Sequence, residues 1–134
     1  MSKKVPCIML IDDNPDDNFF HERVIRKNNM AEKVIVKESA EAALEYLTRQ
    51  KTTDEPHPDL IFLDIKMPRM NGWEFLEAYA VLEEQKQGKL IVVILTTSEN
   101  PDEYHRAMDK EVPTEFRNKP LTKEMMNELI DKFF

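Results

Sequence analysis

Three carboxylates, a pair of hydroxyls and an ammonium group stand directly after short strand-like runs in this 134-residue chain. Asp12-Asp13 follows "VPCIMLI", Asp64 follows "DLIFL", Thr96-Thr97 follows "LIVVIL" and Lys119-Pro120 follows "TEFRN". Clustered carboxylates at neutral pH call for a hard cation, and Mg2+ is commonly held by one or two of them together with water and phosphate oxygens. A lysine and a hydroxyl suit the remaining oxygens of a phosphoryl group, whose transfer depends on positioning and charge neutralisation. One of the carboxylates could itself be the nucleophile, giving an aspartyl phosphate. Each residue alone has an ordinary role, since Asp at a strand end is commonly a turn or cap residue and Lys-Pro a loop dipeptide. Their joint occurrence at successive strand ends is what points to chemistry.

For these groups to meet, the apolar runs must be neighbouring strands. Residues 5–11, 34–36, 59–63 and 90–95 are short, apolar or β-branched, and lack polar alternation, as strands covered on both faces do. Residues 114–118 read as a fifth, more polar edge strand. Helical stretches lie between them. Asn14-Pro15 reads as an N-cap with proline at the first helical position, opening a helix to about Asn28. Ser39 caps a second, with Ala40, Ala43, Leu44 and Leu47 on one face. A third runs from about Asn71 to Gln87 and buries Phe75, Leu76 and Tyr79. Asn100-Pro101 repeats the cap signal, with Glu103 following and Tyr104, Ala107 and Met108 inward. Thr122 caps the last, with Met126, Leu129, Ile130 and Phe133 as its stripe. Five βα units in succession predict an open, doubly wound α/β sheet with right-handed crossovers, in one domain spanning 1–134. Such sheets bind ligands at the carboxyl ends of their strands, where the candidate residues fall.

Four aspartates crowd into residues 12–17. Asp16 and Asp17 read first as helix-start residues whose charge meets the positive end of the helix dipole, with a supporting role beside the metal left open, while Asp12 and Asp13 carry the chemistry. His21, His57 and His105 are scattered and read as surface positions, and most of the eight methionines as core filler. The net charge of −7 argues against non-specific affinity for nucleic acid or anionic membrane. No apolar run approaches a membrane span and no signal-peptide pattern opens the chain. Cys7, the lone cysteine, can form no internal disulfide and reads as a small buried hydrophobe. A cytoplasmic protein is the expectation.

The segments "LIDDN" (10–14), "DLIFLDIKMPRMNGWEFL" (59–76), "ILTTS" (94–98) and "NKPL" (118–121) resemble the receiver domains of two-component response regulators. The resemblance covers almost the whole chain, and its most specific stretch carries Asp64, Pro68 and Gly72. It implies a flavodoxin-like (βα)5 fold with strand order 2-1-3-4-5. By position, it makes Asp64 the phosphoacceptor and Asp13 a direct Mg2+ ligand, with Asp12 acting mainly through water and the Lys66 carbonyl completing the protein's share. Thr96 resembles the hydroxyl that moves to the phosphoryl group, Lys119 its cationic partner, and Phe116 the aromatic that turns inward on phosphorylation. A cis Lys119-Pro120 bond is expected. The chain departs from the family's pattern in having no glycine between Met108 and Glu115 and Leu121 where an aromatic often follows Lys-Pro. Both departures bear on the usual output surface. Lys66 and Thr97 occupy positions that in this family influence how water reaches the aspartyl phosphate.

The resemblance implies a stand-alone receiver with no output domain, taking a phosphoryl group from a phosphohistidine of a sensor histidine kinase or phosphotransfer protein. It would be no enzyme beyond its own phosphorylation and autodephosphorylation. Output would pass through contacts with an unidentified downstream protein or onward phosphorelay, by a monomer for which dimerisation on phosphorylation stays open. Three rivals are a receiver fold that binds partners without phosphorylation, an Mg2+-dependent aspartyl-phosphate hydrolase and a flavodoxin-like cofactor binder. The hydrolase would want a second Asp two residues after the nucleophile, where this chain has Lys66. A flavin-phosphate binder would want a glycine-rich loop after the first strand, and the chain has two glycines, Gly72 and Gly88.

Overall fold

In the computed structural model, residues 4–49, 57–83, 91–97 and 114–134 are described. They contain β1 (Val5–Ile11), α1 (Pro15–Lys27), β2 (Ala31–Lys37), α2 (Ala40–Arg49), β3 (Leu60–Leu63), α3 (Gly72–Glu83), β4 (Ile91–Thr96), β5 (Thr114–Asn118) and α4 (Lys123–Phe133). The helix expected after Asn100, with His105, lies outside these residues, as does the end of the third helix beyond Glu83.

Five parallel strands pair in the order β2-β1-β3-β4-β5. Side chains alternate between the two faces of each strand, and the two sets enter separate cores. Met9, Ile11, Ile61, Leu63, Val92 and Ile94 pack with α2 and α3. Ile8, Leu10, Leu60, Phe62, Val93 and Leu95 pack against α1 and α4. β3 is buried along its whole length and β4 along all but its first residue, so neither shows polar alternation. β2 begins three residues earlier than the 34–36 run suggests, with Glu32 and Lys33 exposed. It is an edge strand, and an edge tolerates charge where a central strand does not.

Local chemistry sets the helix starts. Asn14 accepts from the backbone N–H groups of Asp16 and Asp17 at 2.9 and 3.3 Å, and Pro15 opens α1. Asn71 and Glu74 form a reciprocal capping box at α3, the Glu74 N–H donating to Asn71 Oδ1 and the Asn71 N–H to Glu74 Oε1. Thr122 caps α4 through Met125 N–H. Among the described residues no helix is long and apolar enough to cross a membrane.

Candidate functional site

Backbone hydrogen bonds run one residue past the strand ends. The N–H of Asp12 donates to the Lys37 carbonyl, that of Asp64 to the Ile11 carbonyl, and that of Lys119 to the Thr96 carbonyl. The sheet therefore fixes Asp12, Asp64 and Lys119 in a row across its carboxyl edge, at the β1/β3 crossover where open α/β sheets bind ligands. Asp12, Asp64 and Thr96 are buried, while Asp13 is exposed. One carboxylate oxygen from each of Asp12, Asp13 and Asp64 lies within 4.8 Å of the others, a spacing that one cation could bridge.

Lys119 reaches this cluster from β5. Its ammonium donates to Asp12 Oδ2 at 2.7 Å and to Asp17 Oδ2 at 2.8 Å, and stands 3.7 Å from Asp64 Oδ2. The Lys119-Pro120 bond is cis, as expected. Asp12 is doubly engaged, its other oxygen accepting the Asn14 N–H at 3.0 Å. Asp64 accepts one long backbone bond, from Lys66 N–H at 3.4 Å, so its carboxylate is the least satisfied of the buried pair.

Electrostatics follow from this crowding. Burial first, and then the Asp12 carboxylate, push Asp64 up to about 6 from its ordinary 3.8, with Lys119 and the Lys66 N–H working the other way. Burial also opposes the Lys119 charge, but its bonds to Asp12 and Asp17 and the field of Asp64 leave its pKa raised. A carboxylate cluster with one ammonium remains negative, the condition that suits a divalent cation.

The loop after Asp64 is set by Gly72. Its N–H donates to the Ile65 carbonyl at 2.9 Å, and a Cβ there would stand 2.8 Å from both the Asp64 carbonyl oxygen and Ile65 Cα. Trp73, next in sequence, is buried and is the single tryptophan of the chain. Lys66 points to solvent, whereas Met67 joins the core. Phe116 lies half-buried on β5, in register with Ile94 and packed against the α2/α3 core.

One sequence reading is extended and another corrected. Asp17 is a helix-start residue, but it also bonds Lys119 and so belongs to the site; Asp16, beside it, is exposed. His21 is buried at 3% exposure rather than on the surface, and burial followed by the Lys119 charge lowers its pKa. Asn18, which sequence reading passed over, is equally buried and donates from Nδ2 to the Asp12 carbonyl at 2.7 Å, steadying the β1–α1 turn. Its Oδ1 is buried without a partner among the described residues.

The model of the response regulator receiver domain family matches residues 8–131. Response regulator Rcp1 of Synechocystis is 32% identical over 101 residues, covering 72% of this chain and 65% of its own. The two-component response regulator ORR1 of rice is 32% identical over 108 residues, covering 78% of this chain and 46% of its own. The chain therefore spans about half to two thirds of the length of these relatives. The crystal structure of a two-component response regulator from Cytophaga hutchinsonii superposes with a TM-score of 0.85 at 30% identity, covering 96% of each chain. With strand order, acidic rim and family match in agreement, the chain belongs to the response regulator receiver domains.

Proposed function

We propose that Asp64 accepts a phosphoryl group from a phosphohistidine of a sensor kinase or phosphotransfer protein, and that the phosphorylated surface signals through protein contacts or onward phosphotransfer. The observation that carries this reading is the arrangement at Asp64: a buried carboxylate with one weak hydrogen bond, flanked by two further carboxylates and an ammonium.

In the transfer, an Asp64 oxygen attacks phosphorus in line and the P–N bond breaks. Its electron pair leaves on that imidazole nitrogen, and the ring, already protonated at its other nitrogen, departs as neutral imidazole. Asp12, Asp13 and Asp64, with the Lys66 carbonyl, would hold Mg2+, which when bound neutralises charge on the phosphoryl oxygens. Lys119 supplies a second positive charge from the side of β5. Thr96, which ends β4 at the same edge, would offer its hydroxyl to a phosphoryl oxygen, and Phe116, in register with Ile94 two residues before it, would be the aromatic whose packing follows that movement. Such a repacking shifts a two-state surface toward a partner. On α1, Phe19 and Phe20 are exposed at 69% and 49%, two apolar side chains open to contact with a partner protein.

The test is incubation with Mg2+ and a small acyl or phosphoramidate phosphodonor, followed by intact-mass measurement. A single phosphoryl adduct is expected in the wild type and none in Asp64→Asn. An unmodified wild type, even with a phosphorylated kinase present, favours a receiver fold that works by binding alone.

A further inference from the structure

Lys119 serves three aspartates unequally. Its ammonium is within hydrogen-bond distance of Asp12 (2.7 Å) and Asp17 (2.8 Å) but 3.7 Å from Asp64. The two short bonds differ in kind. The Asp12 side chain is 6% exposed and is pinned at its other oxygen by Asn14, whereas the Asp17 side chain is 38% exposed. Asp17 stands there because the Asn14 cap fixes the first turn of α1, with the Asp17 N–H bound to the cap oxygen. The ammonium is thus drawn toward α1 by a carboxylate that takes no part in the three-carboxylate cluster.

We propose that Asp17 is a positioning residue that competes with the phosphoryl group for Lys119, holding the ammonium off Asp64 until phosphoryl oxygens displace it. The proposal rests on the reading of Asp64 as phosphoacceptor. In the resting state the restraint leaves the attacking oxygens of Asp64 free of a short lysine bond. In the phosphorylated state Lys119 turns to the new oxygens and keeps its buried partner Asp12. The half-exposed Asp17 bond is the one released, because water can satisfy the freed carboxylate. Asp17 therefore lowers the stability of the phosphorylated state relative to a chain lacking its charge.

The experiment titrates beryllofluoride, a tetrahedral mimic of the phosphoryl group, at saturating Mg2+ and follows Trp73 fluorescence. It uses wild type, Asp17→Asn, Asp17→Glu and Asp16→Asn. Asp16→Asn removes the same charge one residue away from an exposed side chain, and so measures the general electrostatic effect. Asp17→Asn is expected to bind the mimic about fivefold more tightly, the scale of one charge-assisted bond at a half-exposed position. Asp17→Glu restores wild-type affinity and Asp16→Asn stays within twofold of it. Equal tightening in Asp16→Asn, or no tightening in Asp17→Asn with wild type binding normally, overturns the competition. Weaker binding in Asp17→Asn assigns Asp17 the opposite role and also overturns it. If wild type itself neither binds the mimic nor forms the mass adduct, the phosphoacceptor reading fails and takes this proposal with it. A circular-dichroism melt of each variant separates loss of fold from loss of the lysine contact.

Discussion

At the scale of single residues, the displaced pKa of Asp64 has a measurable consequence. Its folded value of about 6 lies above the ordinary 3.8 because burial and Asp12 disfavour the anion. Without metal, the unfolded chain therefore releases this proton first as pH rises, and stability falls between about pH 4 and 6 before levelling. A cation at the site requires the ionised carboxylate, so its binding has the opposite dependence. Mg2+ affinity should fall about tenfold per pH unit below 6 and be nearly flat above 7, with close to one proton released per ion at pH 5. Calorimetry in two buffers of different ionisation enthalpy counts that proton. A pH-independent affinity between 5 and 7 would place the acidic group elsewhere. The strand-end residues of this site were legible because a strand end is a fixed place in an α/β sheet. Asp17 was not, because its role depends on helical phase and on a lysine 102 residues away. The similar run after Asn100 favoured a helix-start role for both Asp16 and Asp17. A signal for the buried pair existed: Asn18, His21 and Ile25 recur at i, i+3 and i+7, an inward stripe with two polar members.

At the scale of elements, the loop after Asp64 depends on a close approach between α3 and the end of β3. A methyl group at position 72 would meet backbone atoms at 2.8 Å on both Asp64 and Ile65, neither of which can rotate away. Gly72→Ala should therefore lower stability by about 1–3 kcal/mol, the usual cost of overpacking, although alanine is the better helix former. In urea denaturation the midpoint should drop with little change in slope. Mg2+-dependent adduct formation should drop as well, because the forced shift acts on Asp64 itself. Unaltered stability would mean that α3 can pivot away from the sheet without cost. Most elements could be read directly from the chain, since the central strands are apolar runs and the caps at Asn14, Ser39, Asn71 and Thr122 carry their own hydrogen-bond chemistry. The early start of β2 was hidden by Glu32 and Lys33, which are compatible with a strand only at an edge. Polarity marked β5 as an edge strand, but in β2 the apolar run at 34–36 concealed the same edge position.

At the scale of the whole molecule, Lys119 joins parts of the chain that are remote in sequence. It ties the end of β5 to Asp12 after β1, 107 residues away, across the two intervening strands. It is also the one ammonium placed against Asp12, Asp17 and Asp64 among the described residues. Lys119→Met keeps much of the aliphatic stem and removes the charge, leaving the buried carboxylates uncompensated. Breaking a buried ion pair costs about 3–5 kcal/mol, and the solvent reaching Asp17 reduces that here to about 2–4 kcal/mol. The variant should therefore melt well below the wild type in chelator. Magnesium ion is expected to reverse part of this loss. A ligand that binds only the folded state stabilises it by mass action, about 2.7 kcal/mol at a hundredfold excess over its dissociation constant. With no ammonium competing for the same carboxylates, the cation meets a more negative site and binds more tightly. The Mg2+-induced rise in melting temperature should thus be larger in Lys119→Met than in wild type, and nearly absent in a Lys119→Met/Asp13→Asn double variant. An equal or smaller rise in Lys119→Met would show that the lysine and the cation do not share their carboxylates. In that case the cation would have to be held away from the row of residues that the sheet edge aligns.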